Sequence, residues 1–159
     1  CVMPTNLYGP YDNFHPQNSH VIPALIGKFY RAIKNSEPEV TIWGSGNARR
    51  EFMHVDDLAS ACLHLMAIAQ NKYWAGLEPM CSHINVGTGA DCSIRELAEL
   101  LKMITGFDGE LLFDSSAAEG TLLKSLNVEL LSILGWKASI DLTSGLREVW
   151  GWFSRQQSV

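Results

Sequence analysis

Short runs of strand type alternate with stretches of helical period along this chain, and that alternation commits it to a layered α/β fold of parallel character. Strand-like segments centre near residues 2, 41, 53, 85 and 112, and helical ones near residues 27, 64, 99, 131 and 148. Glu39 to Trp43, Glu51 to Val55, His83 to Gly87 and Glu110 to Phe113 read as strands. A helix is expected from His20 to about Lys34, capped by Asn18 or Ser19, with Val21, Ala24, Leu25, Phe29, Ala32 and Ile33 as its apolar stripe. Pro23 fits there because it falls in the first turn. Asp56 is expected to cap a helix from Asp57 to about Asn71, followed by a loop from Lys72 to Cys81. Ser93 with Glu96 spells a capping box for a helix that ends at Thr105 against Gly106. Asn127 caps a short helix ending at Gly135, and a last helix runs from Leu142 to Phe153 with a frayed tail from Ser154.

The number of strands is awkward. An open doubly wound sheet needs more consecutive βα units before it reaches its ligand-binding crossover. The chain also opens on Cys1-Val2-Met3, apolar residues with no cap or lead-in, so its start reads like the last strand of a sheet begun elsewhere. On that reading the 159 residues carry half an active site. A formal net charge of -5 without a Lys/Arg block leaves no electrostatic footprint for nucleic acid or an anionic membrane. No apolar run approaches the roughly 18 residues that span a bilayer. Cysteines at positions 1, 62, 81 and 92, without C-x-x-C or zinc-like spacing, read as free thiols in a reducing, cytoplasmic setting, and no metal is expected.

Two groups of residues carry chemistry. His15 and His20 sit in a polar loop, where either ring is placed to exchange a proton near neutral pH. His20 is the stronger candidate, because a helix start stabilises negative charge developing beside it. Trp43, Gly44, Arg49, Arg50 and Glu51 form the second group: two guanidiniums follow a Gly-rich turn, beside an indole face suited to a base or sugar. With Lys124 as a further cation they suggest a diphosphate site. His54-Val55-Asp56-Asp57 reads as a helix entry rather than a catalytic motif. Asn85-Val86-Gly87-Thr88-Gly89 is not the G-x-G-x-x-G fingerprint, and its glycines read as a tight strand-to-helix turn. Tyr30 to Lys34 spells Tyr-x-x-x-Lys, but far along a helix behind the histidine loop, and is taken as coincidence.

Pro4 to Pro10, Asp12 to Pro16, Asn18 to Pro23, Arg50-Glu51-Phe52, His54 to Asp57 and His83 to Gly89 together resemble the GDP-sugar epimerase-reductases of the extended short-chain dehydrogenase/reductase family, over residues 2 to about 153. Asn6-Leu7-Tyr8-Gly9-Pro10 and Val55-Asp56-Asp57 are shared widely among nucleotide-sugar epimerases and dehydratases, whereas the stretch from His15 to Pro23 is far more specific. The resemblance implies a Rossmann-type α/β protein whose N-terminal domain binds NADP(H) and whose smaller C-terminal domain binds the GDP-sugar. It implies inversion at C3 and C5 of GDP-4-keto-6-deoxy-D-mannose, then reduction at C4 with NADPH, in a homodimer. It assigns His20 to the acid/base histidine and, with Pro4, Thr5, Asn6 and Leu7, to the cofactor. Lys28, Trp43, Arg50, Glu119 and Lys124 match positions that contact the GDP-sugar. The acid/base cysteine and the Ser-Tyr-Lys group fall upstream of Cys1, so the isolated chain is expected to be inactive. Residues 1–159 are then mostly the substrate-binding domain, interleaved with late Rossmann elements at about 1–10, 56–71 and 83–89. Departures from the family pattern are Lys28 in place of Arg, Glu119 in place of Asp, and Leu122-Leu123 in place of Pro-Arg. A neighbouring GDP-sugar epimerase or dehydratase, and a non-catalytic nucleotide-sugar-binding module, are the alternatives.

Overall fold

The computed structural model describes residues 1–77, 80–116 and 120–157. Its first strand-forming segment is split at Thr5 between two sheets. Strand β1 (Val2–Pro4) pairs in parallel with β5 (Ile84–Val86), and β2 (Asn6–Tyr8) pairs in parallel with β4 (Arg49–His54). Thr5 bridges them: its N–H donates to Val86 O at 3.0 Å and its hydroxyl to Glu51 O at 3.0 Å. Strand β4 is also flanked by antiparallel β6 (Asp91–Ser93) and by the short parallel β8 (Leu123–Lys124). Separately, β3 (Glu39–Trp43) pairs in parallel with β7 (Glu110–Asp114). The expected α/β architecture is present, and most of its strand pairs are parallel.

Helix α1 (Val21–Asn35) lies where it was expected, but His20 itself is the N-cap residue and makes no side-chain capping bond. Its buried face centres on Ile22, Leu25, Ile26 and Phe29, while Ile33 is 42 % exposed. The arc turned away from the expected stripe because α1 packs against both β3 and α4 (Ile94–Thr105). That second helix follows its sequence signals: the Ser93–Glu96 capping box forms and Gly106 closes the C-terminus at φ 73°. Helix α2 (Val55–Ala67) starts earlier than expected, since His54 and not Asp56 caps it, with its Nδ1 accepting from Asp56 N at 3.3 Å. It ends at Ile68, and Trp74 sits on a separate helix α3 (Gln70–Ala75) rather than in a loop. Helices α5 (Glu129–Ile133) and α6 (Leu142–Gln156) complete the chain. The end of α6 is not frayed. It stays helical past Ser154, and the Tyr30 ring packs against Trp150 and Phe153. The Tyr30–Lys34 pair therefore belongs to packing, not to chemistry.

Two apolar clusters divide the elements. One joins α1, α4 and α6 around Ile26, Phe29, Leu97, Leu101 and Leu146. The other gathers Met53, Ala61, Ile84, Val86, Leu131 and Trp136, with Val2 and Leu58 against them. Two buried carboxylates tie loops to this frame. Glu51 accepts from Thr88 N (2.6 Å), Gly89 N (2.9 Å) and Leu126 N (2.9 Å). Asp57 accepts from the N–H and hydroxyl of Ser139 and from Ile140 N. No helix among the described residues is long and apolar enough to cross a membrane.

Candidate functional site

The polar loop before α1 and the ends of β2 and β4 border two cavities. The first, about 460 Å³, is lined by Thr5 through Asp12, His20 and Val55. The second, about 410 Å³, is lined by Ser19, His20, Lys28, Trp43, Arg50 and Phe52 among others. Asn6, Leu7 and His20 belong to both, so these three residues form the partition between the cavities. Asn6 is held there by its side-chain N–H, which donates to Glu51 O at 2.7 Å. The His20 ring is exposed, at a cap position whose helix has no acidic residue in its first turn.

Strand alternation sorts the two adjacent arginines. Arg50 and Phe52 point to the second cavity, as residues two apart in a strand must. Arg49 is consumed by structure instead: its guanidinium reaches Asp91 at 2.5 Å and Glu96 at 3.3 Å, and the bond to Asp91 raises its pKa further. Arg50 Nη1 donates to the carbonyls of Arg49 (2.7 Å) and Thr121 (2.6 Å), which fixes the guanidinium while leaving its other N–H groups for a ligand. Lys28 Nζ donates to Thr41 O at 2.7 Å and stands 5.1 Å from the centre of the Trp43 ring. Burial, and then the charge of Arg31, lowers the Lys28 pKa below the ordinary lysine value. Trp43 is 69 % exposed, an unusual situation for so large an apolar ring and a suitable one for stacking.

Other candidates fall elsewhere. Lys124 is exposed on β8, in register with Arg50, but does not line the second cavity. Pro4 ends β1 opposite Val86 and lines neither cavity. His15 is exposed and its Nδ1 accepts from Gln17 N at 3.2 Å, a local turn contact. Glu119 lies outside the described residues. The turn at Gly87–Gly89 cannot cradle a phosphate, because Glu51 already takes the Thr88 and Gly89 N–H groups and a Cβ at Gly87 would collide with its carboxylate. The four cysteines are free, and burial pushes the Cys92 thiol up to about 11, far from the range of a reactive thiolate. Tyr8, Gly9 and Val55, which wall the first cavity, read in the sequence only as parts of a turn and a helix entry, and Ser19 reads as a cap. The close approach of Gly9 to Val55, where a Cβ would lie 2.6 Å from Val55 Cγ1, has no signal in residue spacing.

Residues 1–87 match the NAD dependent epimerase/dehydratase family. The chain is 51 % identical to a GDP-L-fucose synthase of Escherichia coli K12 over 98 % of its own length and 49 % of the relative's. It is 48 % identical to GDP-L-fucose synthase 1 of Arabidopsis thaliana, covering 95 % of this chain and 44 % of that one. Among solved structures, a GDP-L-fucose synthetase from Naegleria fowleri bound to NADP superposes with a TM-score of 0.84 at 28 % identity, covering 99 % of this chain and 47 % of that one. The chain thus spans about half the length of the relatives it matches. A parallel α/β frame, two cavities meeting at the loop before α1 and a family match over residues 1–87 lead to one conclusion: this chain belongs to the NAD dependent epimerase/dehydratase family.

Proposed function

We propose that this chain supplies the GDP-sugar site, and one wall of the nicotinamide site, of an enzyme that converts GDP-4-keto-6-deoxy-D-mannose to GDP-L-fucose by epimerisation at C3 and C5 and reduction at C4. The observation that carries the reading is the partition itself: His20 faces a cavity with cations and an indole on one side and a mixed polar and apolar cavity on the other. Sequence identity of 48 to 51 % to GDP-L-fucose synthases supports the choice of substrate. The elements around 1–10, 56–71 and 83–89, which contribute to the second apolar cluster, are on this reading the late part of the cofactor-binding layer.

The first cavity fits a flat, amphipathic ring. Leu7, Tyr8, Pro10 and Val55 offer apolar surface, and Thr5 and Asn6 polar edges. It does not fit the cofactor's phosphates, for which this chain shows no cradle among the described residues. NADP(H), when bound, supplies the hydride for C4. The chain's own residues do the rest of the work on this side of the site. Lys28 and Arg50 hold the diphosphate, and Trp43 offers a face to the base or sugar. Epimerisation beside a ketone removes a proton from one face of the ring and returns one to the other, so it needs two groups; His20 is one of them. Its position at the start of α1 also puts the helix N–H groups and their partial positive charge near the enolate that forms. The same site is proposed to work in a homodimer, with no nucleic-acid or membrane partner.

Calorimetric titration of GDP separates the two arginines. Arg50→Ala is expected to weaken GDP binding by about 2 kcal/mol, as for a lost hydrogen bond to a charged group. Arg49→Ala should leave GDP affinity unchanged and lower thermal stability. An Arg50 variant that binds GDP like the wild type would remove the diphosphate from this cavity. The lowered Lys28 pKa gives a pH test with a definite sign. Partial burial favours the neutral amine, and a bound diphosphate favours the ammonium, so binding takes up protons in the alkaline range below the ordinary lysine value. GDP affinity should therefore fall as pH rises through that range, and Lys28→Arg should remove the lysine's share of the fall and of the proton uptake seen in buffers of different ionisation heat, leaving the share of guanine N1–H.

A further inference from the structure

The second cavity contains a polar group that the mechanism above leaves unused. Ser19 lines it, next to His20, and the Ser19 Oγ is closed off from water without a hydrogen-bond partner among the described residues. It is not a helix cap, since His20 occupies that position. Nor is it part of the loop's own bonding. Asn13 accepts from His15 N at 3.0 Å and donates to Asn18 O at 3.0 Å, and Asp12 accepts from Asn13 N at 2.6 Å, so the loop is braced without the serine. A shielded hydroxyl with no partner carries an uncompensated loss of hydration, and structures keep such groups where something else completes them.

We propose that the Ser19 hydroxyl binds the sugar of the nucleotide-sugar ligand, exchanging a hydrogen bond with a ring hydroxyl. The proposal deepens the GDP-sugar reading of the second cavity and rests on it. Position selects the sugar over the nucleotide. Ser19 is adjacent in sequence to a residue of the partition, where a reacting sugar must lie to meet both His20 and the first cavity, whereas Trp43 marks the exposed side of the same cavity. Rotation about the single χ1 bond moves the hydroxyl between staggered positions at little cost, so the shielded position is a resting one from which it turns toward a ligand. Such a contact discriminates by chemistry: a ligand lacking the partner hydroxyl leaves the serine unpaired in the closed site.

The test compares Ser19→Ala with wild type, both in an enzyme that contains this chain, in titrations of GDP and of GDP-mannose, with thermal melts of the free proteins. The expected result is a melting temperature equal to or above wild type, because an unpaired buried hydroxyl has been removed, together with about tenfold weaker GDP-mannose binding and unchanged GDP binding. A clear drop in melting temperature would mean the hydroxyl serves the fold, and overturns the proposal. Equal weakening of both ligands would place the contact on the nucleotide and also overturns it. Unchanged GDP-mannose binding overturns the role of Ser19 alone and leaves the cavity assignment standing. A wild-type enzyme that binds neither ligand removes the cavity assignment, and the proposal with it.

Discussion

Replacing His20 with glutamine in an enzyme that contains this chain is expected, on the proposed reading, to slow solvent deuterium incorporation at C3 and C5 by about 10² to 10⁴-fold, the usual share of one acid/base group. GDP affinity should stay within about twofold of wild type, because on the proposed reading the ligand is held by Lys28, Trp43 and Arg50. The asymmetry follows from geometry. His20 stands at the partition of the two cavities, its side chain makes no capping bond with α1, and its ring is exposed. Glutamine keeps a polar side chain at the helix start but cannot exchange a proton near neutral pH. The helix keeps its backbone bond from Ala24 N to His20 O at 2.9 Å, so the fold should not respond. Measuring deuterium uptake by mass spectrometry, without NADPH, isolates epimerisation from reduction. Wild-type wash-in rates in the variant would sink the assignment of His20 as a proton-transfer group.

The second large effect belongs to a residue with no chemistry. Glu51→Gln should destabilise the chain by about 3 kcal/mol or more in urea denaturation. One carboxylate oxygen accepts from Thr88 and Gly89, and the other from Leu126. An amide has a single acceptor oxygen, so whichever way it turns, its NH2 group faces a backbone donor and leaves at least one of these N–H groups without its buried partner. The consequence extends beyond stability. The Glu51 backbone carbonyl holds Thr5 and Asn6, and Asn6 is a member of the partition, so loosening β4 at this point also loosens the site. A loss below about 1 kcal/mol would show that water replaces the three bonds.

Local signals were read well where they were self-contained. The Ser93–Glu96 capping box, the stop at Gly106 and the span of β3 depend on residues within a few positions of one another, and each forms as its sequence spells it. Misreadings came where a distant partner decides. His54 displaced Asp56 as a cap because its buried ring turns Nδ1 back to the helix start, and short strands such as β6 and β8 exist only because β4 lies beside them. The same holds for the site. His20, Lys28, Trp43 and Arg50 were legible as residue types and as matches to a family pattern, and the fold brings them to one cavity. That Arg49 is spent on Asp91 and Glu96 while its neighbour is not depends on which face of β4 each one occupies. Ser19 looked like a cap because Ser before an apolar run usually is one; only the cavity shows that its hydroxyl is left over.

The position of those two arginines in β4 makes the turn before it intolerant of length change. A single residue inserted or deleted between Gly44 and Ala48 would drive the strand to slip by one place if its neighbours held fast, and a one-place slip exchanges the two faces. After an insertion Arg49 would take the cavity-facing place of Arg50, and Arg50 the place of Glu51; after a deletion Arg50 would take the place of Arg49 beside Asp91 and Glu96. Phe52 would leave the cavity wall, and the Glu51 carboxylate would no longer meet Thr88, Gly89 and Leu126. Natural variation in this loop should therefore run to substitutions and spare its length, and a library that randomises the five positions while keeping their number should retain far more folded, GDP-binding clones than one that adds or removes a single codon.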